Sequence, residues 1–245
     1  MDVSFKNPQL ITINQSGLVY TKLDTMRPKF TLRNIFMLHT NGHLIIISAP
    51  SGAGKTSLVK ALVETMDNLC VSISHTTRPP RPGEQEGVNY HFVDDATFAK
   101  LCDENAFLEH ATVFNHHYGT SRHWLEEQLN LGKDVILEID WQGAQQVRSQ
   151  VDDNIGVFIL PPSREILLKR LCGRGQDSQE VINDRMKKAT AEMDHYEEYD
   201  YVVVNDDFAL ALKQLQTIIT SARLRLSRQQ QRYAKVIEAL LQHEG

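Results

Sequence analysis

The chain has 245 residues, 41% of them hydrophobic and 23% charged, an ordinary globular composition with enough length to bury a sizeable core. Its formal net charge of -5 argues against a general nucleic-acid or membrane-surface binder, and no run approaches the roughly 18 apolar residues of a membrane span. Cys70, Cys102 and Cys172 stand far apart, without the close pairs of a zinc or redox centre, so a reducing, cytoplasmic setting is expected.

Residues 1–40 differ in character from the rest. They carry five Lys or Arg against two Asp, a balance of +3, which leaves -8 for residues 41–245. This stretch reads as a poorly ordered extension, or as upstream sequence ahead of a start at Met26 or Met37, and nothing in it names a function.

From His43 the apolar run HLIIIS predicts a buried strand, SAPSGAGKT a glycine-containing loop, and KTSLVKALVETM a helix with Leu58, Leu62 and Met66 on one face. CVSIS (70–74) reads as a second strand. HTTRPPRPGEQEGVNYHFV brings Pro and Gly, a turn and a short strand over 90–93; a helix is expected from Asp94 or Asp95, and AFLEHATVF reads as a strand. Ser121 is the expected N-cap of RHWLEEQLNL, which Gly132 stops. DVILEID (134–140), IGVFILPP (155–162) and YVVVND (201–206) predict three more core strands, with a polar helix pair over 163–195 before the last. A final helix sets Phe208, Leu212, Leu215, Ile219, Ala222 and Leu226 at steps of four and three. Strands alternating with helices argue for a parallel sheet covered on both faces.

SAPSGAGKT (48–56) departs from the phosphate-cradling pattern G-x-x-x-x-G-K-[ST] at its first position, where Ala49 replaces glycine. In such a loop successive backbone N–H groups point inward, which demands residues that turn tightly, and Gly52 and Gly54 meet that need. Lys55 would reach the β- and γ-phosphates of a nucleotide, and Thr56 would supply a hydroxyl to Mg²⁺. Ala49, Pro50, Ser51, Ala53 and Ser57 complete the segment, with the positive end of the helix behind it. The loop alone does not separate an ATPase, a GTPase and a kinase.

APSGAGKTS, SISHTTRPPRPGEQEGVNYHFV, FLEHATVFNHHYGTSR, EIDWQGAQQVR, GRGQDSQEVINDRM and YVVVNDDF, in this order over residues 43–232, together resemble the guanylate kinases, which pass phosphate from ATP to GMP. The resemblance implies an α/β fold of the P-loop class, three-layered α/β/α. A parallel core sheet would take residues 41–75, 126–163 and 196–245, a GMP-binding insertion 76–125 and a lid 164–195. It implies that Arg78, Arg81, Tyr90 and Tyr118 hold the GMP phosphate, which suits guanidinium forks and phenol hydroxyls. It makes Glu109 the acceptor for guanine N1–H and the exocyclic amino group, with Ser74 and Thr120 as further base contacts. Asn205 matches an adenine contact. Arg170, Arg174 and Arg185 match lid arginines that close over the ATP phosphates, and together with Lys55 and Arg78 they form the catalytic set. RPPRP also has PxxP spacing, so its alternative is an extended proline segment; the alternative for the lid is an exposed helix with ordinary surface arginines.

Residues two apart on a strand share a face, so Glu138 and Asp140 are expected to point the same way, Asp140 serving Mg²⁺ through water beside Thr56. The family pattern has Asp where this chain has Glu138, and the extra methylene bears on a contact to guanine or to Mg²⁺-bound water. Trp124 and Trp141 read as packing residues, and His116 and His117 as surface residues. Arg223, Arg225, Arg228 and Arg232 read as a solvated helix face, with a homo-oligomer contact as the alternative. The expected reaction is ATP + GMP to ADP + GDP, with dGMP as a further acceptor and Mg²⁺ as cofactor, in purine nucleotide metabolism. Its partners are small molecules, with neither nucleic acid nor membrane among them. Two rivals stay open: a binding module that keeps the fold without catalysis, and a kinase for another acceptor such as a sugar phosphate.

Overall fold

The computed structural model describes residues 42–113, 115–172 and 179–242; the expected extension over 1–40 lies outside them. The strands are β1 (Leu44–Ser48), β2 (Leu69–Val71), β3 (His75–Thr76), β4 (His91–Phe92), β5 (Phe107–Val113), β6 (His116–Ser121), β7 (Asp134–Glu138), β8 (Asn154–Leu160) and β9 (Tyr201–Val204). The helices are α1 (Lys55–Thr65), α2 (Asp95–Asp103), α3 (Arg122–Asn130), α4 (Trp141–Arg148), α5 (Arg164–Cys172), α6 (Gln179–Met193), α7 (Phe208–Arg223), α8 (Leu226–Arg232) and α9 (Ala234–Leu241). None of the described helices is long and apolar enough to cross a membrane.

The core is a five-stranded parallel sheet in the order β2-β7-β1-β8-β9. Every residue of β1 is buried because helices cover both faces, and its side chains alternate between two hydrophobic clusters. Ile45 and Ile47 pack with Leu58 and Leu62 of α1 and with Leu215 and Ile219 of α7. Leu44 and Ile46 pack with Leu125 and Leu129 of α3 and with Ala144 and Val147 of α4. Full burial of such a side chain is worth about 1.5–3 kcal/mol relative to exposure, so the double-sided apolar run is what fixes β1 at the centre.

The chain leaves β1 toward β2 on one side and later leaves β7 toward β8 on the other. The carboxyl ends of β1 and β7 therefore lie at a topological switch point, the place where open α/β sheets form their ligand crevice. A second sheet, β4-β3-β6-β5, is antiparallel except for the β3–β4 pair, and α2 stacks Phe98 on Phe107 and His117 from it. Helices α5 and α6 pack on each other through Leu167, Leu171 and Ala189.

Several expectations change. The strand DVILEID ends at Glu138, because Asp140 is the N-cap of α4 and its Oδ1 accepts the Gly143 N–H at 3.0 Å; strand alternation therefore does not relate Glu138 to Asp140. The CVSIS strand is confined to Leu69–Val71. The helix expected from Phe208 to Leu226 is α7, which ends at Arg223, and Leu226, at the start of α8, is 72% exposed. Arg223 and Arg228 are anchors rather than a solvated face. Arg223 Nε donates to the buried Asp134 at 2.6 Å, and Arg228 Nη2 donates to Asp153 at 2.6 Å. His117 is half-buried in its stack on Phe98.

Candidate active site

The loop between β1 and α1 has the conformation its glycines predict. Gly52 and Gly54 have φ of 89° and 94°, left-handed values that side chains with a Cβ rarely adopt. A Cβ on Gly54 would stand 2.4 Å from Asn205 Nδ2, and one on Gly52 would press Leu167 and Leu171 at 3.1 Å. Ala49 is partly buried, its methyl packed against the core cluster on the α1 face, which explains why glycine is not needed there. Pro50 and Ala53 are buried, Ser51 is half-buried, and Thr56 and Ser57 are exposed on the first turn of α1. Gly54, the N-cap, has no side-chain cap, so the first-turn amides of the helix carry the partial positive charge that attracts phosphate.

Asn205 follows β9 and is buried. Its Nδ2 donates to the Ala53 carbonyl at 2.7 Å, and its own carbonyl accepts from Arg170 Nη2 at 3.0 Å. Arg170 also donates to Ala53 O at 3.4 Å. Both residues thus brace the phosphate loop from behind. Arg185 Nη1 donates to the Leu171 carbonyl at 3.4 Å, at the end of α5, while Arg174 lies outside the described residues.

Glu138 ends β7 beside the end of β1, paired in register with Ile47. Thr56 Oγ1 donates to Glu138 Oε1 at 2.5 Å, and Lys55 Nζ lies 3.9 Å from the same oxygen. Glu138 also lies within electrostatic reach of Tyr90, where it adds to the burial that pushes that phenol pKa up. Asp140 carries Gly143 N–H and Gln142 Nε2 on its two oxygens, each at 3.0 Å, and lies within electrostatic reach of Glu109.

The acceptor half is built on the second sheet. Glu109 of β5 sits opposite Thr120 of β6 and is only 3% exposed. Its Oε1 accepts the Thr120 hydroxyl at 2.6 Å; Gly143 admits Oε2 so closely that a Cβ there would stand 2.5 Å away. Burial pushes the Glu109 carboxyl up to about 7, with Asp140 adding to the rise and Thr120 opposing it. Ser74 is half-buried just before β3. Arg78 is buried, under the rings of Tyr90 and Phe92 at 5.3 and 6.0 Å, and Tyr118 meets Tyr90 edge-on at 5.9 Å. Arg78 Nη2 donates to both carboxylate oxygens of Glu84 at 2.9 Å. Arg81 is exposed, and its backbone N–H donates to the same carboxylate at 2.7 Å.

Sequence reasoning missed Glu84, which takes the oxyanion position at Arg78, and Gly143, which admits Glu109. Glu84 stands three residues beyond Arg81 in the Pro-Gly turn, a local signal that could have found it; Gly143 becomes meaningful only once α4 lies against β5.

The family model of guanylate kinase matches residues 41–222. The chain is 58% identical over 200 residues to a guanylate kinase of Saccharophagus degradans, covering 82% of this chain and 98% of that one. It is 55% identical over 205 residues to one from Pseudomonas fluorescens, covering 84% and 100%. A crystal structure of guanylate kinase from Anaplasma phagocytophilum superimposes with a TM-score of 0.64 at 34% identity, covering 77% of this chain and 90% of that one. With a phosphate loop, a buried carboxylate and an arginine-tyrosine cluster arranged around one crevice, and with relatives matched over nearly their whole length, this chain belongs to the guanylate kinase family.

Proposed function

We propose that the crevice catalyses the family reaction, transfer of the γ-phosphate of ATP to GMP or dGMP, with the donor on the loop at 49–57 and the acceptor on the second sheet. The observation that carries this reading is the join at the end of β7, where Glu138 accepts from Thr56 of the loop and, a few residues on, Gly143 admits the Glu109 carboxylate of the second sheet.

Each group then has a task. Lys55 and the first-turn amides of α1 grip the ATP phosphates, and Asn205 and Arg170 hold Ala53 so that the loop keeps its shape. Arg78, Tyr90, Tyr118 and Arg81 take the GMP phosphate, which would displace the Glu84 carboxylate from Arg78. Glu109 accepts two guanine N–H groups. Adenine would present an acceptor to that carboxylate, and such a mismatch costs roughly 10⁴ in specificity. The attacking atom is a phosphate oxygen of GMP, already ionised at neutral pH, so no general base is required. Arg185, with Arg174, supplies positive charge for the transferring group.

Thr56 and Glu138 bring two hard oxygen donors together at the start of α1, suited to Mg²⁺, which keeps most of its ligands as waters and substrate phosphates; Asp140 would act through such a water. When bound with ATP, Mg²⁺ would neutralise charge on the phosphates. Free Cys70, Cys102 and Cys172 fit a reducing cytoplasmic setting. The test is ADP formation with GMP in wild type and in Lys55→Ala, where the variant should lose orders of magnitude in kcat while keeping its fold.

A further inference from the structure

One acidic side chain outside these assignments reaches the loop itself. Glu192 lies near the end of α6, and its Oε2 accepts the Ser51 N–H at 3.0 Å. Its carboxyl is half-buried, with Lys55 and Asp140 both within electrostatic reach. A carboxylate is costly to bury unless charge or hydrogen bonds compensate it. Here the compensation comes from the phosphate loop: burial pushes the Glu192 carboxyl up, while the Ser51 amide and Lys55 oppose the rise.

The loop divides its donors. Ala53 N–H is used by Pro50 O at 3.1 Å and Ser51 N–H by Glu192, so the shoulder of the loop is tied inside the protein while the uncapped start of α1 faces the crevice. On α6, Arg185 stands seven residues before Glu192, about two helical turns away on the same face. Between them Ala189 packs with Leu167 and Leu171, the two side chains that a Cβ on Gly52 would meet. One helix thus carries a lid arginine, an apolar contact under the loop and a carboxylate on its shoulder.

We propose that Glu192 is a positioning residue for phosphoryl transfer: its carboxylate ties α6 to the shoulder of the ATP loop, holding loop and lid helix in one register so that Arg185 is delivered to the phosphates. This rests on the assignment of 49–57 as the ATP loop. The group acts through Ser51 and never touches the reacting atoms; its contribution is preorganisation, to which misplacement by an ångström is costly.

The full chain is assayed with ATP-Mg²⁺ and GMP as wild type, Glu192→Ala, Glu192→Asp and Glu192→Gln. Ala removes the acceptor and Asp withdraws it by one methylene, so both should lower kcat by about tenfold or more, whereas Gln, which still offers an oxygen, should stay within about threefold of wild type. The GMP Kd, measured by titration without ATP, should stay within about twofold in all three. Unchanged kcat and ATP KM in Glu192→Ala would overturn the proposal. So would a lowered ATP KM at unchanged kcat, which would make the carboxylate a competitor of phosphate. Equal losses in all three variants that track a fallen melting temperature would also overturn it. Lys55→Ala, run alongside, separates the two levels: a fully active Lys55→Ala would sink the loop assignment, while an inactive one beside a normal Glu192→Ala removes the Glu192 role alone.

Discussion

Thr56 Oγ1 donates to Glu138 Oε1 at 2.5 Å, joining the first turn of α1 to the carboxyl end of β7. The contact fixes the Thr56 hydroxyl by its proton and leaves its oxygen lone pairs unused by Glu138. Glu138→Ala should therefore lower kcat by about 10²-fold and raise the Mg²⁺ concentration needed for half-maximal rate. Glu138→Asp, which restores the family residue, should change kcat by no more than about threefold. Steady-state rates across a Mg²⁺ titration check both.

The burial of Glu109 makes stability depend on pH. Its carboxyl is raised from 4.5 to about 7 by burial, so between those values the folded chain binds more protons than the unfolded one. Stability from this group is then full below pH 4.5 and is lost as pH rises through about 7. The loss is about 3 kcal/mol at most. Glu109→Gln should melt higher than wild type at pH 8, and this advantage should vanish near pH 5.

The same shift governs GMP. Only the ionised carboxylate accepts both guanine N–H groups, so GMP affinity should weaken as pH falls below about 7. Glu109→Gln should raise the GMP KM far more than the ATP KM and lose this part of the pH dependence. Equal effects on both substrates would count against the assignment.

Gly54 tests the bracing of the loop. Gly54→Ala puts a Cβ against Asn205 Nδ2 at a φ of 94°, so it should cost about 2–4 kcal/mol and raise the ATP KM about tenfold with GMP Kd unchanged. Asn205→Ala, which removes the bond to Ala53 O without the strain, should give the milder form of the same defect. Thermal melts and separate titrations of the two nucleotides distinguish them.

The core of the fold was legible because double-sided burial writes itself as apolar runs: HLIIIS became β1 and IGVFILPP became β8 with shifts of a residue or two. The caps at Asp94, Ser121 and Gly132 were equally readable, each resting on local chemistry. The short strand over 90–93 is β4, whereas the two-residue β3 is not delimited by the sequence, since so short a segment has no period and is defined by its partners. The DVILEID strand stops two residues short of its expected end because Asp140 caps α4, a role visible only once a helix begins at Trp141. At the site, Lys55, Thr56 and the loop glycines follow from a motif, whereas Glu109, Arg78 and Asn205 came from family resemblance. Glu192 and Gly143 could come from neither, because their meaning lies in contacts across 141 and 34 residues of chain, to Ser51 and Glu109.

On the proposed assignment the buried Glu109 carboxylate selects guanine nucleotides as acceptors of the ATP phosphate. The most direct test of this selection is kcat/KM for ADP formation from ATP-Mg²⁺ with GMP, dGMP, AMP and UMP as acceptors. GMP and dGMP should be phosphorylated, with AMP and UMP disfavoured by roughly 10⁴. Comparable turnover of AMP or UMP, or no ADP formed with GMP, would contradict the account.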